Sequence, residues 1–453
     1  MTMGVLLQAF YWDCPALEGR ERAWWGRIEA ELPALAEVGF TALWLPPASK
    51  GMNAGGMGYD PYDYFDLGEF DQKGGVETWF GSRQALASLI TAAHAQRLEV
   101  YADLVLNHCS GADEQELNPI TNEWRWTKFT PASGRFPRDW NCFHPSEYES
   151  WDDDHFAGFP DLCHRNPHVY TQIMQFVEWL VEEIGFDGFR FDFVKGFGEE
   201  GRGAWLITAI QEYRYRRVGA TYHKPFGVVE FWDEEHADAI MGYLDGANFW
   251  NDNPVAGFDF PLRRRLARLC ADDGFSMREL THPGTILARQ PARSVTFVEN
   301  HDIIRDNPIV RDKMLAYAFI LTHEGYPCVF WQDYYNFALG RAGQPDGIAA
   351  LVGVHESHAS GPTEVLYVDD SLYVMQRRGL DGRGGLVVAM NNSGTAWRGD
   401  WVTTAFASRR MTPVAHGSSL DHATPHDKET DAGGRADFWA PPRGYAVYVP
   451  ADA

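Results

Sequence analysis

The chain has 453 residues, more than one hydrophobic core usually supports, so two or three domains are expected. Its composition, 45% hydrophobic and 23% charged, is that of a folded globular protein and not of a disordered or fibrous one. Acidic residues outnumber basic residues by 63 to 39, which gives a formal net charge of -24. Because that charge repels phosphate backbones, we expect no nucleic-acid partner.

The N-terminal sequence MTMGVLLQAFYW has no basic region and continues directly into a strand-like segment. No apolar run approaches the roughly 20 residues of a membrane-spanning helix. We therefore expect a cytoplasmic monomer without a membrane partner, although a secreted chain trimmed at its start would look the same. Six cysteines lack paired CxxC spacing: Cys14, Cys109, Cys142, Cys163, Cys270 and Cys328. Buried free thiols are expected, and pairing among Cys109, Cys142 and Cys163 remains open.

Short apolar segments alternate with helical ones along the first 350 residues. The apolar segments predict eight strands, at residues 4–10, 40–47, 100–108, 186–194, 226–232, 255–260, 294–300 and 328–334. Apolar residues recur every three or four positions over residues 24–39, 82–97 and 169–185, which predicts helices. Eight strands that alternate with helices predict a closed (β/α)8 barrel, an α/β fold.

Two parts of the chain depart from this alternation. Residues 109–164 are rich in Asp, Glu, Asn, Pro and Trp with little periodicity, which predicts an irregular subdomain inserted after strand three. After residue 350 the pattern becomes alternating strands separated by Gly- and Asn-rich turns, which predicts a C-terminal antiparallel β-sandwich. The predicted domains are therefore a barrel (1–108 and 165–349), an inserted subdomain (109–164) and a β domain (350–453).

Polar residues cluster where the predicted strands end, which is where such barrels carry their catalytic groups. They are Asp103, Asn107 and His108 on strand three, Arg190, Asp192 and Lys195 on strand four, Glu230 on strand five, and Asn300, His301 and Asp302 on strand seven. The three carboxylates Asp192, Glu230 and Asp302 suit acid–base and nucleophilic chemistry on a glycosidic bond.

The segment GFDGFRFDFVKG (185–196) raises the question of why charges occur in so apolar a strand. Side chains alternate along a strand, so Phe189, Phe191 and Phe193 should face the helices while Arg190 and Asp192 face the barrel mouth. Arg190 would then keep Asp192 ionised and oriented. The alternative is that the two residues form only a buried ion pair.

Glu230 is expected to be protonated, whereas Asp192 is expected to be ionised. Its neighbours Val229, Phe231 and Trp232 are apolar. An apolar setting raises the pKa of a carboxyl group, which suits a proton donor.

Four segments carry a family resemblance: DLVLNH (103–108), GFRFDFVK (188–195), VVEFWD (228–233) and FVENHD (297–302). In order and spacing they resemble the signature regions of the alpha-amylase family, glycoside hydrolase family 13. GMGYDPYDYFDLGEFDQKG (56–74) and FPDLC (159–163) resemble two further family segments, and the former, with LLQAFYWD and PPASKGM, resembles the archaeal and plant-type branch. The resemblance covers the barrel nearly throughout and is weaker over the last hundred residues. It implies retaining endo-hydrolysis of α-1,4-glucosidic bonds in starch, glycogen or maltodextrins.

The resemblance also implies roles for individual residues. Asp192 would be the nucleophile, Glu230 the general acid/base and Asp302 the carboxylate that grips the sugar hydroxyls, while Arg190 orients the nucleophile. The implied substrate contacts are Tyr59, His108, Lys195, Trp232 and His301. The alternatives are a core aromatic for Tyr59 and core histidines for His108 and His301.

A calcium ion is the implied cofactor. The matching positions are Asn107, Asp152, Asp161 and the backbone of Asp154 and Gly196, and the run WDDDHFAGFPD supplies the oxygen ligands that calcium needs. The alternative is that this acidic run is a solvated loop. His144, Cys163 and His164 offer donors for a second, transition-metal site, with a simply buried cysteine as the alternative.

Two other functions use the same residues. One is a 4-α-glucanotransferase or maltooligosaccharide-forming enzyme, because the family runs both reactions on one triad. The other is a carbohydrate-binding homologue without activity, which the presence of all three carboxylates disfavours.

Overall fold

The computed structural model describes residues 4–14, 22–151, 156–199, 202–213, 215–216, 222–249, 252–380 and 383–451. Within this part of the chain, no helix is both long enough and apolar enough to span a membrane.

Eight parallel strands close into a barrel. They are β1 (Leu6–Gln8), β2 (Ala42–Trp44), β3 (Glu99–Leu104), β4 (Gly188–Phe191), β5 (Phe226–Val229), β6 (Ala256–Phe258), β7 (Ser294–Phe297) and β8 (Tyr326–Phe330). Each strand pairs with its predecessor and successor, and β1 pairs with both β8 and β2. Every strand overlaps its predicted segment, so the predicted barrel is confirmed.

Helices pack around the barrel. Their bounds are α1 (Trp24–Glu29), α2 (Leu32–Val38), α3 (Arg83–Ala95), α4 (Pro167–Trp179), α5 (Ala204–Glu212), α6 (Ala237–Ala247), α7 (Phe260–Ala271), α8 (Ile286–Arg289), α9 (Ile303–Asp306), α10 (Lys313–Thr322) and α11 (Ile348–Ser357). The predicted helix over 24–39 is two helices, because Pro33 in the first turn of α2 lacks the N–H that a continuous helix needs.

Local sequence explains where the longer helices begin. Ser82 accepts a hydrogen bond from the Ala85 N–H at 3.2 Å, and Asn166 accepts one from the His168 N–H at 2.8 Å. These caps satisfy backbone donors that the first helical turn leaves without partners. They fix the points at which the chain turns from the barrel mouth back along its outside.

The segment between β3 and α4 contains an antiparallel hairpin, Glu114–Asn118 with Glu123–Lys128, which the sequence did not predict. A single bridge between His108 and Asp161 joins the two ends of the segment, and one between Phe143 and Leu162 ties its middle to its second end. The excursion therefore leaves and re-enters the barrel at almost the same place, above the carboxyl end of β3.

The C-terminal part is an antiparallel sandwich, as predicted. Its strands are β9 (Thr363–Val368), β10 (Leu372–Arg377), β11 (Leu386–Asn391), β12 (Arg398–Thr403), β13 (Arg410–Ser418), β14 (Lys428–Glu429), β15 (Arg435–Ala440) and β16 (Gly444–Pro450). One sheet has the order β9-β10-β11-β16-β13-β14, and β12 pairs with β15 in the other. Val374, Val387, Val402 and Phe438 are among the buried side chains of the core between them.

Candidate active site

One buried guanidinium joins three carboxylates at the barrel mouth. Nη1 of Arg190 lies 2.8 Å from Oδ1 of Asp103 and 2.5 Å from Oδ1 of Asp192, and Nη2 lies 2.6 Å from Oε1 of Glu230. The strand register causes this, because Arg190 of β4 is aligned with Asp103 of β3 and with Val228 of β5. The sequence prediction that Arg190 holds Asp192 in place is therefore a feature of the structure, and Glu230 shares the same arginine.

The chain turns sharply after β4. The strand ends at Phe191, and Phe193 has a φ of +43°, in the left-handed region that costs a phenylalanine about 1–3 kcal/mol. The Phe193 ring lies in the cleft, 5.3 Å from the Phe156 ring centroid, while its N–H donates to Oε2 of Glu230 at 3.0 Å. The prediction that Phe193 faces the helices is wrong, because the strand ends two residues before it.

Burial dominates the titration of both central carboxyls. Desolvation raises the pKa of Asp192 to about 7, against the lowering effect of Arg190. Desolvation also raises the pKa of Glu230 to about 8, again opposed by Arg190. The predicted rise for Glu230 is confirmed. Arg190 acts in the predicted direction, since its charge lowers the pKa of Asp192, but burial and the negative charge of Asp103 outweigh it.

His301 and Asp302 approach from β7. Nε2 of His301 lies 3.2 Å from Oδ2 of Asp302, and Nε2 of Gln8 donates to Nδ1 of His301 at 3.0 Å. Oδ1 of Asn300 accepts from the Asp302 and Ile303 N–H groups at 3.0 and 2.8 Å, which fixes the turn into α9. Burial lowers the pKa of His301 to about 4, so its ring is neutral near pH 7.

Aromatic rings form one wall of the cleft. Tyr59 stacks on His301 with centroids 5.0 Å apart and on Trp12 at 5.9 Å. The Tyr59 hydroxyl donates to Oδ2 of Asp103 at 2.8 Å, which ties the aromatic wall to the Arg190 cluster. On the other side, Trp232 stacks on Phe260 at 4.9 Å.

The cleft has a volume of about 580 Å³, within the range of ligand sites. It brings together six of the predicted residues and groups around them; its lining includes Trp12, Tyr59, Asp60, Phe156, Phe159, Asp192, Phe193, Glu230, Trp232, His301, Asp302 and Arg305. Arg190 is buried beneath it. The cleft therefore presents two carboxyls with raised pKa values beside stacked rings, a combination suited to a sugar substrate.

Two predicted substrate contacts lie away from the open cleft. His108 is fully buried, its ring stacked on Phe156 at 4.7 Å and its Nε2–H donating to the Tyr59 carbonyl at 2.9 Å. Nζ of Lys195 lies 4.8 Å from the Phe231 ring centroid. Their contacts with substrate stay predictions.

Three of the five predicted calcium positions, Asn107, Asp161 and Gly196, lie in the described part of the chain. Asn107 donates from Nδ2 to Oδ1 of Asp161 at 3.1 Å, and its own Oδ1 is buried without a hydrogen-bond donor in the described part of the chain. A Cβ on Gly196 would lie 2.2 Å from that oxygen, so only glycine fits there. Asp152 and Asp154 lie outside the described residues. An orphaned amide oxygen beside a carboxylate fits a hard cation such as calcium.

The second metal group differs from its prediction. Among the described residues, His144, Glu149 and Cys163 place one potential ligand atom each within 4.8 Å of one another. His164 is not part of the group, because its Nε2 lies 2.8 Å from the Leu106 carbonyl and its ring packs against Phe197. Glu149 stands in its place, a residue whose role depends on the fold of the excursion.

Sequence reasoning gave no role to three residues of the site. Asp103 anchors both Arg190 and Tyr59, and its position at the end of β3 was the available signal. Trp12 stacks on Tyr59, and Arg305 lies 4.2 Å from the Trp12 ring centroid. Trp12 lies four residues beyond the end of β1, so its place after a strand end could also have identified it.

A closed (β/α)8 barrel with carboxyls converging above one arginine defines a barrel enzyme of the glycosidase class. Comparison with known proteins refines this. The alpha amylase catalytic domain model matches residues 24–214, and the alpha-amylase C-terminal model matches residues 386–449.

Relatives match over most of their length. A glucan 1,4-alpha-maltohexaosidase of Bacillus sp. (strain 707) is 30% identical over 465 residues, covering 87% of this chain and 86% of that one. The cytoplasmic alpha-amylase of Escherichia coli (strain K12) is 30% identical over 460 residues, covering 86% and 89%. The crystal structure of an alpha-amylase from Geobacillus thermoleovorans, complexed with acarbose, shares the fold with a TM-score of 0.64, 21% identity and coverage of 99% and 96%. The chain belongs to the alpha-amylase family.

The link between Asp103 and Arg190 generates a prediction. In Asp103→Asn the guanidinium loses an ionic partner, and kcat/KM on a maltooligosaccharide should fall about 10- to 100-fold, the worth of a charged hydrogen bond. Asp103 also raises the pKa of Asp192 by its charge, so the acidic limb of the pH–kcat/KM profile should move to lower pH. Asp245→Asn, at an exposed ion pair, is the control. A loss of activity with an unmoved limb would contradict this positioning role.

Proposed function

We propose that the protein is a retaining endo-hydrolase of α-1,4-glucosidic bonds that acts on starch, glycogen or maltodextrins. The observation that carries this proposal is the single guanidinium of Arg190 between Asp192 and Glu230, at the floor of a cleft walled by stacked rings. Two carboxyls held by one side chain lie close together. A short separation is what a retaining enzyme needs, because its nucleophile attacks the sugar directly and leaves no room for a water molecule.

The roles are those that the family resemblance implies. Asp192, held by Arg190, attacks the anomeric carbon as its carboxylate and forms a glycosyl-enzyme. Glu230, whose pKa burial raises, gives its proton to the departing glycosidic oxygen. Glu230 is then a carboxylate and removes a proton from the water that releases the sugar and restores Asp192.

The remaining residues of the cleft bind the sugar. Asp302 and His301 face the cleft as an acceptor and a neutral ring, which suits hydrogen bonds to sugar hydroxyls. Tyr59 and Trp232 offer ring faces to the sugar. His108 and Lys195 are also proposed contacts, and a substrate that touches them must extend beyond the cleft.

Substitution of the two central carboxyls tests the mechanism. Asp192→Asn should lower turnover of soluble starch by at least about 10³-fold, because an amide cannot form the glycosyl-enzyme. In Glu230→Gln, kcat/KM should fall about 10²- to 10⁴-fold on starch but far less on a maltoside with a 2-chloro-4-nitrophenol leaving group, which departs without a proton. The kcat should be low on both substrates, because a glutamine cannot remove the proton from the water that releases the sugar. Release of reducing ends measures the activity on starch, and release of nitrophenol measures the activity on the maltoside.

Glu235→Gln, at an exposed ion pair near Glu230 in sequence, is the matched control and should keep parental activity. With maltoheptaose as substrate, the parent should release only shorter products. Products longer than maltoheptaose would show that the protein is a glucanotransferase and not a hydrolase. A single product length would favour a maltooligosaccharide-forming enzyme, the kind of activity for which the Bacillus relative is named. Full activity of Asp192→Asn would overturn the mechanism.

The two pKa values predict a bell-shaped pH profile. Catalysis requires Asp192 ionised and Glu230 protonated, so kcat/KM should rise with pH through about 7 and fall above about 8. The alkaline limb should disappear in Glu230→Gln assayed on the nitrophenyl maltoside, while the acidic limb remains. An alkaline limb that persists in this variant would show that another group is the proton donor.

We propose calcium as a structural cofactor, held by Asn107 and Asp161 together with the backbone of Gly196 and with Asp152 and Asp154. The orphaned Oδ1 of Asn107 supports this proposal. When bound, the ion would supply a positive charge that ties the excursion to the carboxyl end of β3. It would take no part in the bond-breaking steps.

Removal of calcium tests this site. A ligand at about 100 times its Kd adds about 2.7 kcal/mol to the free energy of unfolding, so EGTA should lower the melting temperature by several degrees and added calcium should restore it. Asp161→Asn should start from the lower value and respond little to EGTA. Asp252→Asn, at an exposed carboxylate, should respond like the parent. An EGTA response of the same size in Asp161→Asn would place the ion elsewhere.

We also propose a cytoplasmic monomer of the archaeal and plant-type branch. All six cysteines are buried and none forms a disulfide, which suits a reducing compartment, and the Escherichia coli relative is named as cytoplasmic. The branch rests on the segments LLQAFYWD, PPASKGM and GMGYDPYDYFDLGEFDQKG.

A further inference from the structure

The segment between β7 and α10 carries His301 and Asp302 and forms part of the cleft wall. We call residues 300–309 the Asp302 loop. Its residues 301, 302, 305 and 306 line the active-site cleft, whereas residues 304, 308 and 309 line a second cavity of about 650 Å³ between the barrel and the C-terminal sandwich. Residues 305–308 are exposed, so this part of the loop has open space beside it. The position of the loop therefore depends strongly on how its two ends are held.

Glu299 joins the two ends of this loop. Its side chain is fully buried and immediately precedes the loop. Oε1 accepts a hydrogen bond from the N–H of Ile309, the last residue of the loop, at 2.6 Å. Oε2 accepts one from Nη2 of Arg263, on helix α7, at 3.1 Å. A single carboxylate therefore closes the loop and attaches it to a helix of the barrel.

Arg263 holds the same two ends through the backbone. Its Nε donates to the carbonyl of Val298, before the loop, at 3.2 Å, and its Nη2 donates to the carbonyl of Asn307, near the end of the loop, at 2.5 Å. A planar guanidinium presents these N–H groups in fixed directions, which a lysine ammonium does not reproduce. Helix α7 thus fixes both the beginning and the end of the loop.

The charges around Glu299 balance. Nζ of Lys313, the first residue of α10, lies 3.4 Å from Oε1 of Glu299 and 2.7 Å from Oδ1 of Asp333. Together with Arg263, the cluster contains two cations and two carboxylates, and all four side chains are at most 10% exposed. Because the loss of one member would leave a buried charge without its partner, displacement of the loop base is costly.

We propose that Glu299 is a positioning residue that acts through Asp302. This inference rests on the proposed function, in which Asp302 grips the sugar hydroxyls. Asn300 directly follows Glu299 and accepts from the N–H groups of Asp302 and Ile303, so a shift of the loop base passes to the Asp302 carboxylate. Glu299 itself is only 1% exposed and does not line the cleft. A displacement of about 1 Å near the reacting atoms can lower the rate about 100-fold.

A double-mutant cycle tests this coupling. Glu299→Gln keeps the size of the side chain but removes its charge and one of its acceptor oxygens. On the 2-chloro-4-nitrophenyl maltoside it should lower kcat at least about tenfold and leave KM within about threefold, because a displaced Asp302 weakens transition-state binding more than substrate binding. In an Asp302→Asn background the same substitution should lower kcat less than about twofold, since the carboxylate that Glu299 positions is already absent. A loss of similar size in both backgrounds would overturn the proposal.

Arg263→Lys approaches the same loop without leaving a buried charge unpaired. It keeps the charge balance and loses the fork that binds Val298 and Asn307. We expect kcat to fall at least about fivefold, again with little further loss in the Asp302→Asn background. Circular dichroism and the melting temperature show whether each variant is folded at the assay temperature, and if Glu299→Gln is not, Arg263→Lys decides alone. Parental kcat in the folded variants would contradict the positioning role.

The controls use an exposed ion pair beside this cluster. Arg264 follows Arg263 on α7 and pairs with Glu235 at 2.6 Å, with side chains 46% and 61% exposed. Arg264→Lys and Glu235→Gln repeat the two chemical changes at the surface and should keep kcat within about twofold. If the parent hydrolyses no α-glucan, the proposed function fails. If the parent is active and Glu299→Gln is equally damaging in both backgrounds, only the positioning role fails.

Discussion

The buried guanidinium of Arg190 is the interaction on which the site depends. It compensates three carboxylates at the ends of three strands in a region with little access to water, where an unpaired charge is costly. Its compensation is incomplete, because burial still raises the pKa of all three carboxyls. That imbalance is useful, since a fully neutralised cluster would leave no group able to hold a proton near neutral pH. The pairing with Arg190 therefore sets the titration that the proposed chemistry uses.

The eight barrel strands could be predicted because burial on both faces leaves continuous apolar segments, and the strand ends then located Asp192, Glu230 and Asp302. What could not be predicted depends on tertiary contacts. Phe193 continues the apolar alternation of β4, yet its φ of +43° turns its ring into the cleft, where its N–H can reach Glu230. Nothing in the local pattern marks that turn.

The excursion shows the same limit at longer range. His164 follows Cys163 in sequence, so a local search pairs them, but the backbone there sends the His164 ring toward Phe197. Glu149 lies near the Cys163 thiol, with Oε2 at 3.7 Å from Sγ, in a part of the excursion where a bridge joins Phe143 to Leu162. Residue type is readable from sequence, whereas proximity between segments of irregular structure is set by their packing. Predictions that used regular strand ends therefore located residues better than those that used neighbours in a loop.

The proposed calcium site lies on two segments, one of which also carries Asp192, the proposed nucleophile. Asn107 lies three residues beyond the end of β3, and Gly196 lies four residues beyond Asp192. Gly196 must be glycine because the Asn107 amide occupies the space of a Cβ, so the turn that carries Asp192 and Phe193 packs directly on the segment that carries Asn107. An ion held by the Asn107 and Asp161 oxygens would stiffen both segments at once. It would thereby fix the strained turn at Phe193, and through its N–H the position of Glu230, without touching the substrate.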